Sequence, residues 1–166
     1  KFSIDGIEYC LTKNDNGITC LHGGGEYSSA VWTGEETSDK SLTFTYFSKD
    51  GINGFPGNVK ASVTYELTDN DELILTYNAD SDKKTVINLT NHAYFNLNGF
   101  NNGDILSHSL TLDADLFTEV DENSIPTGKN IPVEGTAIDF RAPRITGKDI
   151  DDEHMQLQYT GGYDHN

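Results

Sequence analysis

The sequence predicts an all-β fold of short antiparallel strands, arranged as a sandwich or a barrel. Three observations carry that prediction. Apolar and polar residues alternate with a period of two over most patterned segments. Those segments are short and are separated by clusters of Asp, Asn and Gly. Helical spacing is confined to one short stretch. Successive strand side chains point to opposite faces, so alternation marks half-buried strands, and closely spaced turn signals fold them into antiparallel layers.

The elements follow in order. Lys1 to Tyr9 reads as strand, turn and strand, with Asp5-Gly6 as the turn pair. Leu42, Phe44 and Tyr46 alternate with Thr43, Thr45 and Phe47. Val59, Ala61, Val63, Tyr65 and Leu67 alternate with Lys60, Ser62, Thr64 and Glu66, a strand with one wet face. Glu72 to Asn78 follows the turn Asp69-Asn70-Asp71 and completes a hairpin. Val86 to Leu97 reads as a strand with Ile87, Leu89, Asn91, Ala93, Phe95 and Leu97 on one face. Its other face carries Val86, Asn88, Thr90, His92, Tyr94 and Asn96. Leu110, Leu112 and Ala114 alternate after the turn-rich stretch Asn98 to Gly103. The one expected helix lies near Asp149 to Gln156, where Ile150, His154 and Leu157 fall at helical spacing.

Length and charge bound the function. A chain of 166 residues is long enough for one domain. Eleven basic against 27 acidic residues leave a formal charge of −16, which opposes phosphate backbones and anionic lipid. Neither nucleic acid nor a membrane is an expected partner. Cys10 and Cys20 are the only cysteines and read as reduced thiols, in keeping with a cytoplasmic location. No metal or other cofactor is expected. HExxH and CxxC are absent, and Asp113, Asp115 and Glu119 lack the glycine and closing glutamate of an EF-hand loop.

Candidate site residues come from three places. The polar face of Val86 to Leu97 holds uncharged hydrogen-bonding groups, a tyrosine and the imidazole of His92, which suits a neutral polyhydroxylated ligand. An unperturbed imidazole titrates at about 6.5 and can donate or accept a proton near neutrality. Leu21-His22-Gly23-Gly24-Gly25 sets a second imidazole beside three residues that let a ligand approach the backbone. A phosphate loop is a poor reading of it, because no helical pattern follows and no lysine sits at the required place. Gly161-Gly162-Tyr163-Asp164-His165-Asn166 offers a carboxylate, Asp164, which can accept hydrogen bonds from two adjacent hydroxyls. Tyr27, Trp32 and Phe55 lie in glycine-rich loops and can stack on a sugar ring or pack in a core. Asn88-Leu89-Thr90 matches the glycosylation sequon, but its Asn is expected on the groove face.

Taken together and in order, these segments resemble the aldose 1-epimerase (galactose mutarotase) family. LHGG followed by Trp32, DGINGFPGN at Asp50 to Asn58, and a strand ending in Tyr65 and Leu67 are similar to its signatures. So are TNHAYFNL, the stretch VDENSIPTGKNIPVEGTAIDFR from Val120 to Arg141, and the final GGYDHN. The resemblance covers the full length and implies a large antiparallel β-sandwich of the galactose mutarotase type. Residues 1–166 would be one partial domain, a central piece lacking both ends and exposing unpaired strand edges. It also implies interconversion of the α and β anomers of free hexoses by acid–base ring opening, without a cofactor. By motif position His92 matches the general acid, His22 a sugar-binding histidine near the ring oxygen, and Asp164 the carboxylate on the sugar hydroxyls. The family's glutamate base is expected beyond GGYDHN, and its binding Arg and Asn before Lys1. The 166 residues alone are therefore expected to be nearly inactive. A non-catalytic sugar-binding sandwich, an epimerase of sugar phosphates and a structural sandwich with packed histidines remain alternative readings.

Overall fold

The computed structural model describes residues 1–165, which form two compact units, residues 1–92 and residues 93–165. In the first unit, β1 (Phe2–Ile4) and β2 (Ile7–Tyr9) pair as a hairpin across Asp5 and Gly6. Both turn residues are left-handed, with φ of 51° and 81°, as a tight hairpin turn of matching twist requires. Two short helical turns follow, His22–Gly25 of the 3-10 type and α1 (Glu26–Ser29). Then β3 (Thr33–Ser38), β4 (Ser41–Ser48), β5 (Val59–Leu67) and β6 (Leu73–Ser81) form an antiparallel meander in that order.

The register of this sheet sorts its two faces. One face aligns Leu42 with Tyr65 and Leu75, Phe44 with Val63 and Tyr77, and Tyr46 with Ala61 and Ala79. The other aligns Thr43 with Thr64 and Thr76, and Thr45 with Ser62 and Asn78. On that polar face the Thr43 and Thr64 hydroxyls meet at 2.8 Å. The alternation of the sequence thus becomes an aromatic-aliphatic face and a hydroxyl face. Only Pro56, Val59 and Ala61 have buried apolar side chains in this unit.

In the second unit, β7 (Ser109–Leu110) pairs with β10 (Arg144–Ile145), and β8 (Leu116–Val120) with β9 (Pro126–Pro132). The helix α2 (Met155–Thr160) closes the unit. Phe117, Val133, Ala137, Ile138 and Leu157 form its buried core, with Ile131 and Tyr163 packed against them. The buried side chain of Gln156 ties α2 to β8, accepting from Val120 N at 2.9 Å and donating to Val120 O at 2.8 Å. Arg144 donates to the carbonyls of Ala137 and Asp139 at 3.1 and 3.0 Å and forms an ion pair with Asp149.

Three expectations need correction. Val86 to Leu97 belongs to no strand: residues 84–96 take no regular structure, and Tyr94, Phe95 and Leu97 are exposed. Alternation states which side chains would share a face, but a strand also needs a neighbour's ladder. The strand read around Leu110 to Ala114 shrinks to Ser109–Leu110. The helix begins later than its acidic residues suggest. Asp152 accepts from His154 N at 2.8 Å in a preceding turn, and His154 caps Met155–Thr160 by accepting from Gln156 N. Aspartates favour such turns because their side chains compete for backbone amides. Cys10 and Cys20 are free thiols. Among the described residues no helix is long and apolar enough to cross a membrane.

Candidate functional site

The site is in the first unit, where the loop carrying His22 meets residues 85–92. Leu21 is extended, and the chain then turns through four left-handed residues, His22, Gly23, Gly24 and Gly25, with φ of 50°, 63°, 82° and 81°. Glycine takes that region freely, whereas His22 holds it at a cost of about 1–3 kcal/mol unless its surroundings enforce it. The result places the His22 ring edge-on to His92, with centroids 5.2 Å apart and planes at 86°. Both imidazoles are exposed to solvent.

They open on a cleft of about 380 Å³, whose wall includes Glu26 and Tyr27 from α1, Ser48 from β4, Phe55 from a loop, and Asn88 and Thr90 from the irregular segment. Residues of both expected faces, Ile87 and Leu89 as well as Asn88 and Thr90, line this one cleft. A second cavity of about 530 Å³ lies over the aromatic face of the sheet, bounded by Trp32, Phe44, Tyr65 and Tyr77. Tyr27, Thr90 and His92 border both cavities.

Hydrogen bonds fix the wall. The Glu26 carboxylate accepts from the Tyr46 hydroxyl and the Ser48 hydroxyl, both at 2.9 Å, anchoring α1 to β4. Donating to that carboxylate raises the Tyr46 pKa above the usual phenol value, and burial raises that of Tyr27. Trp32 Nε1 donates to the Tyr27 carbonyl at 3.0 Å, and the Trp32, Tyr27 and Tyr46 rings pack with centroids 5.5 to 6.0 Å apart. Asn91 donates to the Tyr65 hydroxyl at 3.1 Å. The loop Asp50 to Asn58 is internally clamped: Asp50 accepts from Gly57 N at 2.6 Å and pairs with Lys83. The ammonium of Lys83 holds the Asp50 carboxyl below its usual pKa, with the Gly57 N–H adding to the effect. Gly54 in this loop has φ of +86°, and a Cβ there would stand 2.0 Å from the Cys10 carbonyl oxygen.

The structure brings His22 and His92 together. Asp164 lies in the second unit. It is exposed between two anchored rings: the Tyr163 hydroxyl donates to Ala137 O at 3.0 Å, and His165 packs edge-on to Phe117 at 5.6 Å. Burial lowers the His165 pKa, against the opposing pull of Asp164. Asp115 and Glu119 are paired with Arg141 and Lys129. Asn166, the last residue of the GGYDHN segment, lies outside the described residues. Sequence reasoning did not place Glu26 or Ser48 at the cleft.

Comparison with known proteins adds to this geometry. The sequence profile of the family described as Aldose 1-epimerase matches residues 1–166. Galactose mutarotase of Sus scrofa is 44% identical over 99% of this chain and 46% of its own length. Aldose 1-epimerase of Escherichia coli (strain K12) is 38% identical over 99% of this chain and 47% of its own. The crystal structure of galactose 1-epimerase from Lactobacillus acidophilus NCFM superimposes with a TM-score of 0.87 at 32% identity, over 99% of this chain and 49% of that one. The chain therefore spans about half the length of the curated relatives it matches. That likeness agrees with the all-β antiparallel sandwich class expected from the sequence.

Proposed function

Because the chain belongs to the aldose 1-epimerase family, we propose that it carries the imidazole half of a mutarotase site for free hexoses such as galactose and glucose. The observation that carries this reading is the edge-on contact of His22 and His92 at the mouth of one cleft. A cleft of about 380 Å³ suits a single sugar ring, and its wall mixes hydroxyl, amide and aromatic groups as a polyol with an apolar ring face requires.

In this reading His92 is the general acid. A base takes the proton of the anomeric hydroxyl while His92 gives its proton to the ring oxygen, and the bond between C1 and that oxygen breaks. The open aldehyde rotates about C1–C2, and the ring recloses on the other face of the carbonyl as both protons return. His22 binds near the ring oxygen, and Asp164 accepts from sugar hydroxyls. The anomeric proton goes to the glutamate that the family resemblance sets outside these residues. Acid or base assistance is worth roughly 10²–10⁴-fold per group, so residues 1–166 alone accelerate the reaction little. No cofactor enters the reaction, and these residues form part of one larger domain.

Polarimetry on freshly dissolved α-D-galactose tests the proposal with the protein at the full length of its relatives. The expected result is accelerated mutarotation, reduced roughly 10²–10⁴-fold by His92→Asn. A variant with full rate would remove His92 as the acid. Thermal protection by sugar with an unaltered mutarotation rate would instead favour a non-catalytic binding module.

A further inference from the structure

We propose that Asn14 and Asn53 are positioning residues that hold the His22 imidazole at the cleft by bonding the peptide groups on either side of it. The inference rests on the reading of His22 as a sugar contact. The four consecutive residues His22 to Gly25 are all left-handed, and Gly24 N donates to Leu21 O at 3.0 Å at the start of the turn. Two side-chain amides tie that turn to Asn14 and Asn53.

Asn14 acts before the histidine. Its Oδ1 accepts from Leu21 N at 2.8 Å, and its Nδ2 donates to Leu21 O at 2.9 Å, so one amide occupies both backbone groups of the preceding residue. Asn53 acts after it, donating from Nδ2 to Gly23 O at 3.0 Å. Asn53 is itself left-handed, with φ of 52°, and its carbonyl accepts from Thr12 N at 3.0 Å. The fit is close: a Cβ on Gly24 would stand 2.4 Å from Asn53 Cγ. Glycine at position 24 is therefore needed for left-handed backbone and for room. Neither asparagine lines the cleft, so each acts on the ligand only through His22. A binding group must be held within about 0.5 Å of its productive place, and a single exposed imidazole on a glycine run cannot do that unaided.

The experiment compares the wild-type protein with Asn53→Asp, Asn53→Gly and Asn14→Asp in sugar-free solution. Aspartate keeps the size and the tolerance of left-handed backbone but cannot donate when ionised. Glycine keeps the backbone freedom and removes the side chain. The readout is the proton cross-relaxation between the His22 and His92 imidazoles, with His92→Asn assigning the signals. Each variant is expected to lose that cross-peak while the amide signals of β4, β5 and β6 stay in place, which a general loss of stability would not produce. Persistence of the cross-peak in all three variants would overturn the proposal. The ring contact is read without sugar, so its failure leaves the sugar reading of His22 untouched. A galactose-induced shift of the His22 signal tests that reading separately.

Discussion

The two units reach order by different means. In the first, a four-stranded meander pairs strands of up to nine residues, with a register shift between β3 and β4, yet only Pro56, Val59 and Ala61 are buried apolar side chains. In the second, the ladders are short, but five residues form a buried cluster and Gln156 bonds the backbone beneath them. A ladder satisfies backbone groups and sets register, while burial supplies most of the net stabilisation. The first unit thus keeps its side chains available, and the candidate cleft is there. The second spends its apolar residues on packing.

The sharpest way to break this contrast is truncation. Phe117→Ala is expected to destabilise the second unit by about 3–5 kcal/mol, the usual cost for a buried phenylalanine. Leu67→Ala, at a position 54% exposed at the end of the nine-residue strand β5, should change stability by less than about 0.5 kcal/mol. Denaturant unfolding followed by hydrogen exchange at the Val120 amide reads the second unit. Fluorescence of Trp32, the only tryptophan, reads the first. Equal effects of the two substitutions would abolish the distinction.

A smaller effect probes what does hold the first unit. Gly54→Ala forces a Cβ against the Cys10 carbonyl at φ of +86°. The strained backbone alone costs on the order of 1–3 kcal/mol. The expected outcome is a lowered midpoint by Trp32 fluorescence with the Val120 amide unaffected. Loop docking, rather than a core, would then be the first unit's weak point.

The smallest expected effect is the pH response of the second unit. Burial depresses the His165 pKa, so the folded state favours the neutral ring. The sign follows: the contribution is fully present above the ordinary imidazole value of about 6.5 and is lost as pH falls through the depressed one. Acidification from pH 7 to 5 should therefore weaken protection at Val120, and His165→Gln should flatten that slope. An unchanged slope in the variant would put the titrating group elsewhere.

Much of this contrast could be read from residue patterns. Asp5-Gly6 marked the first hairpin, and the alternation in Leu42 to Phe47 and Val59 to Leu67 marked β4 and β5, because a half-buried strand writes its two faces into the sequence. Thr33–Ser38 was invisible for the converse reason: TGEETS is exposed throughout and is a strand only because β4 pairs with it. Val86 to Leu97 failed in the other direction, with a strand's pattern but no regular structure over residues 84–96. His22 and His92 were found by residue type and motif, and their convergence depends on a left-handed run whose glycines were visible in the sequence. Glu26 and the two asparagine clamps were not, because they act through a few side-chain hydrogen bonds that leave no periodic trace.

The central claim is that the two imidazoles of the first unit share one sugar. Titrating galactose into the protein while following the ring protons of all five histidines tests it most directly. The His22 and His92 signals should move together along one saturation curve, with His108 and His154 unmoved. Signals from His22 and His92 that stay fixed, or that move with different midpoints, would contradict it.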